Sequence, residues 1–201
     1  MERHARIRGL TLALTVTAAA LTQGCAPALV GGAAVGASMI HDRRSSATVL
    51  EDQRIEVVAR SRVNNDETLA GHSSVAPTSY NRVVLLVGQA DSPQVKHRVA
   101  ETVRAIPEVR RVVDEVTIAP VPDFQQQSND AYITSQVKLA LFDIKLPDFD
   151  ATRVKVVTEL RVVYLMGLVT EEEAAAAVEK ARYVKGVERV VKVFEYVQPS
   201  A

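Results

Sequence analysis

The stretch Arg82-Val83-Val84-Leu85-Leu86-Val87-Gly88 returns as Arg161-Val162-Val163-Tyr164-Leu165-Met166-Gly167, 79 residues further along a chain of 201. A second pair lies beyond it: Val109-Arg110-Arg111-Val112-Val113 matches Val187-Glu188-Arg189-Val190-Val191 at a spacing of 78. One deletion between the two blocks reconciles the spacings. Ile55 and Ile133, each within a helical pattern, also stand 78 apart. Self-similarity at a fixed period defines the architecture before any single element does. Two copies of one unit of roughly 70–75 residues cover nearly everything after Ser45.

Both copies present the same order. A helix comes first, at residues 49–63 and 129–144. Two valine-rich strands follow, 74–80 with 82–87 and 153–158 with 161–166, their turns short enough for antiparallel hairpins. Asp91-Ser92-Pro93-Gln94 then offers an N-cap and an early proline, and Thr170-Glu171-Glu172-Glu173 a capping box, each opening a second helix. A last strand closes each copy at 110–118 and 188–197. Gly88 and Gly167 are expected to serve the backbone turn between strand and helix. The fold class is α+β: two tandem αββαβ modules, each a three-stranded mixed sheet covered by two helices. They span 46–119 and 128–198, joined by a polar, turn-prone linker at 120–127 (Pro-Val-Pro-Asp-Phe-Gln-Gln-Gln).

The N-terminus reads as an address. Arg3, His4, Arg6 and Arg8 precede an uncharged stretch from Gly9 to Leu21, then Leu21-Thr22-Gln23-Gly24-Cys25. A basic segment followed by a short apolar one is the layout of a secretory signal, and about a dozen residues fall short of the roughly 20 needed to span a bilayer. The chain's only cysteine sits where cleavage would fall, which resembles a bacterial lipoprotein signal at residues 1–24 with Cys25 as the acylated first residue. Thr22 stands where that pattern prefers leucine, with Leu21 one step further back. An ordinary signal peptide is the alternative. Several acyl chains anchor stably where one does not. Ala26, in place of the aspartate that retains such proteins at the inner membrane, implies sorting to the outer membrane with the chain on its periplasmic face. Residues 25–45, rich in Gly, Ala and Val, read as the acylated cysteine and a flexible tether.

Charge and composition close several classes. The chain carries 24 basic and 24 acidic residues, and removal of residues 1–24 leaves 21 and 23. That balance argues against nucleic acid, whose binding needs clustered cations.

The module order, the strand ending in Gly88 or Gly167 and the valine-rich closing strand resemble BON domains. Two of them behind a lipoprotein signal resemble the family of division- and outer-membrane-stress-associated lipid-binding lipoproteins. The segments that carry this are Leu85-Leu86-Val87-Gly88-Gln89, Ser128-Asn129-Asp130-Ala131-Tyr132-Ile133-Thr134, Val154-Lys155-Val156-Val157-Thr158-Glu159 and Tyr164-Leu165-Met166-Gly167-Leu168-Val169-Thr170-Glu171. The resemblance covers almost the whole chain after Cys25. It implies an anionic phospholipid membrane as partner of the second module, support of outer-membrane integrity, and recruitment to division sites. Tyr132 stands where the family is expected to have tryptophan.

The first helix of the second copy can be read without that family. Ile133, Val137, Ala140, Leu141 and Ile144 form a core-facing stripe at 100° per residue. Tyr132, Leu139 and Phe142 gather on the opposite side, where packing against the module's own sheet gives no reason for them. The first copy has Arg54, Ser61 and Asn64 at these places. Lys138 flanks the stripe and is placed to meet a lipid phosphate. The alternatives are packing between modules, a dimer contact, or an adaptor surface for outer-membrane assembly, division-site or peptidoglycan-remodelling proteins.

No arrangement of residues makes an enzyme or calls for a cofactor. None of His4, His41, His72 and His97 lies in the second copy, and acylation would consume the only thiol. Asp143, Asp148 and Asp150 cluster but do not match an EF-hand loop; Pro147 makes them an exposed turn, and no metal is expected. The run Glu171-Glu172-Glu173 complements a helix N-terminus.

Overall fold

The protein is described here by a computed structural model covering residues 42–120 and 124–198. The expected signal peptide, Cys25 and the tether up to His41 lie outside the described residues. The elements run α1 (Ser46–Asn65), β1 (Ser73–Tyr80), β2 (Val83–Ala90), α2 (Pro93–Arg104), β3 (Arg111–Ile118), α3 (Phe124–Leu141), a 3₁₀ turn (Ala151–Arg153), β4 (Lys155–Glu159), β5 (Val162–Val169), α4 (Glu171–Arg182) and β6 (Arg189–Tyr196). Each module has one three-stranded sheet, in order β1-β2-β3 and β4-β5-β6. In both, the hairpin is antiparallel and the closing strand pairs in parallel with the central strand. The helix between β2 and β3, or between β5 and β6, supplies the crossover a parallel pair requires.

The helices start where the local chemistry directs. Ser92 caps α2 through Val95 N, with Pro93 at the first position. Thr170 and Glu173 close a full capping box on α4. Three expectations are corrected. The α3 helix begins at Phe124, inside the stretch read as linker, because nothing in Phe-Gln-Gln-Gln opposes a helix once Pro122 is passed. Residues 42–45 are docked rather than loose: Arg43 reaches Glu173 Oε2 at 2.5 Å and Leu168 O at 2.9 Å, and Arg44 reaches Asp52 at 2.8 Å. Burial works against the charge on Glu173, yet Arg43 and Thr170 N–H hold its carboxyl below the usual range. Finally, Gly88 and Gly167 lie within β2 and β5 rather than at the turn after them. A Cβ on Gly88 would meet Ser74 O at 2.1 Å, with φ at 124°, and one on Gly167 would meet Arg153 O at 2.7 Å. Each glycine permits a close approach of neighbouring backbone.

The hairpin turns depend on a buried carboxylate. Asn81 and Arg82, and again Leu160 and Arg161, have positive φ, the tight-hairpin geometry that ordinarily selects glycine. Asp52 accepts from Asn81 N and Arg82 N, both at 2.7 Å. Asp130 accepts from Leu160 N at 2.8 Å and Arg161 N at 2.9 Å. Asp52 lies on the same buried stripe as Ile55, Ala59 and Val63. Asp130 is likewise aligned with Ile133, Val137 and Leu141 and is itself buried. Each carboxylate therefore latches a helix to the tip of its own hairpin.

Alternation along the central strands divides two faces. Val84, Leu86 and Ala90, like Val163, Leu165 and Val169, point to their own helices. Val83, Leu85 and Val87 meet Tyr164, Met166 and Val193 in a third core between the two sheets, with Tyr80 at its edge. Polar pairs surround this seam: Arg110 and Asn81 with Glu195 at 2.8 and 2.9 Å, Lys155 with Glu56 at 2.6 Å, and Gln89 with Glu159 at 2.6 Å. Burial pushes the Tyr80 and Tyr164 phenols up to about 12.

Two outcomes follow for stability. Asp130→Ala leaves two backbone donors unpaired and should cost about 2–4 kcal/mol in urea unfolding; Asp52→Ala should cost more, since Ser79 Oγ (2.6 Å) and Arg44 also lose a partner. At the seam, burial raises the carboxyl of Glu159 above its ordinary value, while the buried Gln89 Oε1 lacks a donor. A raised carboxyl destabilises the fold when ionised, a penalty that disappears as pH falls through the folded value. Glu159→Gln can donate to that oxygen and should raise neutral-pH stability by about 1 kcal/mol, with the gain shrinking on acidification. Thermal melts across pH check this.

Candidate functional site

The α3 helix presents two faces of opposite use. Ile133, Val137 and Leu141 are buried in the second module's core, fixed in rotation by Asp130 on the same stripe. On the other side Tyr132, Leu139 and Phe142 are 61%, 62% and 62% exposed. Lys138 is also exposed. The packing between modules uses the sheet faces instead, so the stripe is not consumed by the first module. In the first copy Arg54, Ser61 and Asn64 are exposed as well, and Arg54 pairs with Glu108. Leu50 and Val57 share that surface of α1 at 61% and 65% exposure, so it is not uniformly polar.

The fold adds groups that the helical wheel of α3 alone did not supply. Val184 and Lys185, from the loop after α4, join Tyr132, Gln136 and Leu139 around a shallow hollow of about 290 Å³. Beside them Tyr183 is 71% exposed, its ring 4.8 Å from the Arg182 guanidinium. The repeat held a signal for these: Tyr183 stands where the first copy has Ala105, and Lys185 where it has Pro107. On the other flank Lys138 and Phe142 border a groove with Arg44, Tyr80, Thr152, Val154 and Lys155. The surface is thus an apolar ridge between two cationic margins. Asp143 also lines the hollow.

Comparison with known proteins agrees with the repeat. The BON domain model matches residues 51–120 and again 129–198. The chain belongs to the BON-domain family. It is 36% identical over 186 residues to the outer membrane lipoprotein DolP of Haemophilus influenzae, covering 92% of this chain and 95% of that protein. It is 32% identical over 157 residues to a 21 kDa hemolysin of Actinobacillus pleuropneumoniae, covering 78% and 80%. Among solved structures, CdsD, a structural protein of the type III secretion system of Chlamydia trachomatis, matches at 12% identity and a TM-score of 0.29, over 74% of this chain and 92% of that one; so slight a likeness carries nothing further. Two BON domains and this identity make the chain a dual-BON outer-membrane lipoprotein of the DolP family.

Neither relative bears the name of an enzyme. Among the described residues no group of three His, Cys, Asp or Glu side chains could hold a metal. Of the aspartates after α3, Asp150 caps the 3₁₀ turn by accepting from Thr152 N at 2.8 Å, a structural task. No helix among the described residues is long and apolar enough to cross a membrane.

The two faces of α3 give a direct check. Leu139→Ser should leave stability within about 0.5 kcal/mol, whereas Val137→Ser should cost about 3 kcal/mol or more. Denaturant titration of the two variants measures the difference.

Proposed function

We propose that this BON protein is a non-enzymatic lipoprotein, anchored by acylated Cys25 to the periplasmic face of the outer membrane, whose second module binds anionic phospholipid. By that contact it supports outer-membrane integrity, with recruitment to division sites. The observation that carries this reading is the exposure of Tyr132, Leu139 and Phe142 on one helix whose core stripe is already buried. Burying a large apolar side chain contributes roughly 1.5–3 kcal/mol, so three give a weak contact, sufficient for a chain already held at the bilayer by its lipid. Tyrosine places an apolar ring and a polar tip at the headgroup boundary. Lys138 and Lys185 on either side form no ion pair among the described residues and are available to phosphate. The mechanism is coincidence: acyl chains confine the protein, and the ridge reports lipid composition.

The chain from Ala26 onward, made without lipid, should sediment with vesicles rich in phosphatidylglycerol. Tyr132→Glu with Phe142→Glu should lower that binding by about tenfold or more without changing the melting temperature. Normal vesicle binding by the folded double variant would refute the membrane role and make the ridge a protein contact, as an adaptor would use.

A further inference from the structure

The two sheets end differently at their outer strands, β3 and β6. In a parallel pair alternate residues turn their backbone groups to the neighbouring strand, here marked by Ala119 N to Ala90 O at 3.1 Å and Val197 N to Val169 O at 3.0 Å. Val116 and Phe194, each three positions earlier, therefore turn theirs to the open edge. In the first module that edge is plugged. Lys96 Nζ donates to Val116 O at 2.7 Å, Val116 N donates to Asp114 Oδ1 at 3.2 Å, and Lys96 and Asp114 stand 3.7 Å apart. At the 78-residue spacing the second module has Ala174 for Lys96 and Lys192 for Asp114. Neither can repeat the plug, and Phe194 N and O have no side-chain partner among the described residues. A hollow of about 480 Å³ opens there instead, lined by Glu171, Ala174, Ala175, Val178, Lys192 and Tyr196.

We propose that β6 accepts a further strand, contributed by a partner protein, paired along the outer edge from Lys192 to Tyr196. An unpaired edge is a template for main-chain hydrogen bonds, and the side chains beside it select what joins. Ala174, Ala175 and Val178 give the helix side of that edge an apolar floor, which suits an apolar residue opposite Phe194. Charge sets the two ends. Lys192 is exposed and has no partner among the described residues, so it calls for an acid on the incoming strand. At the Tyr196 end the hollow meets a second one of about 500 Å³, which adds Asp148 and Glu172 to Glu171. Arg43 also lines that second hollow but is engaged by Glu173. This end calls for a base. The occupant is therefore an extended segment carrying a base and an acid four residues apart with an apolar residue between them, complementary to the edge in charge. None of these groups lies on α3, so the contact is independent of the membrane reading.

The test uses the unlipidated chain from Ala26 onward and the synthetic peptide Thr-Val-Thr-Lys-Thr-Val-Thr-Glu-Thr-Val. In antiparallel register its glutamate meets Lys192 and its lysine meets Glu171 and Glu172. On binding, the Phe194 amide should exchange with solvent at least about tenfold more slowly. Lys192→Glu breaks no contact among the described residues and should weaken binding about fivefold, with recovery when the peptide's glutamate is replaced by lysine. Ala174→Lys with Lys192→Asp installs the first module's plug and should abolish binding, with melting temperature as the control for folding. Tyr132→Glu with Phe142→Glu should leave peptide binding unchanged. No protection of Phe194 at millimolar peptide, or equal peptide binding by the wild-type chain and both edge variants, would overturn the proposal. Protection of Phe194 without peptide that disappears on dilution would make the occupant a second copy of this chain and overturn the assignment to a partner.

Discussion

A buried aspartate on each module's first helix sets the rest of the structure in place. A tight hairpin with left-handed residues ordinarily calls for glycine or asparagine, and Leu160 and Arg161 are unfavourable there. The carboxylate of Asp130 compensates by accepting both turn N–H groups. Because that aspartate shares a stripe with Ile133, Val137 and Leu141, the same contact fixes the rotation of α3 about its axis. Tyr132, Leu139 and Phe142 are then directed outward by geometry, with no contact of their own required. The surface proposed to meet lipid is a consequence of how a hairpin turn is held.

The duplication has used its two copies differently. In the first, Asp52 also receives Arg44 and Ser79 Oγ, Glu56 reaches across to Lys155, and Arg110 reaches Glu195. Its polar groups around the helix and hairpin tip are thus committed to the segment before α1 and to the neighbouring module. In the second copy Asp130 holds its turn, and Lys138 and Lys185 have no partner among the described residues. A census of charge in the second copy, nearly balanced in sign, conceals this, because what matters is which cations lack a counterion and where they lie. Lys185 comes from a loop some 50 residues after Lys138, and Arg44 from before the first module.

Much of the fold was legible because the repeat doubled every signal: strand, cap and closing strand each appeared twice at one spacing. The exposed stripe was legible for the same reason, since the core stripe persists in both copies while the other changes. The seam between modules was not read, although its mark is present. Val83 to Val87 and Val162 to Met166 are unbroken apolar runs, and a strand covered on one face only would alternate with polar residues. A glycine after an apolar run reads as a strand end, whereas here the backbone approach that requires a missing Cβ lies mid-strand. The aspartate latches are invisible to periodicity: a single acidic residue on an apolar stripe looks like an interruption until its partners, some 30 residues away, are known.

The seam also decides what the functional unit is. Tyr164, Met166 and Val193 lie in a core that only the first module's Val83, Leu85 and Val87 complete. Separated, each module would present that sheet face to water, at a cost of roughly 1.5–3 kcal/mol for each large side chain uncovered. An exposed apolar face of that extent would itself adhere to bilayers, and would do so on the opposite side of the sheet from the helices. Lipid binding by an isolated second module would then mix two surfaces, whereas in the described residues of the paired modules the seam is closed and the α3 ridge stays open. With both modules present, the seam is sealed and Arg44 and Tyr80 stand beside Lys138. The pairing of domains thus closes an indiscriminate hydrophobic face and sets Arg44 and Tyr80 beside the one that remains.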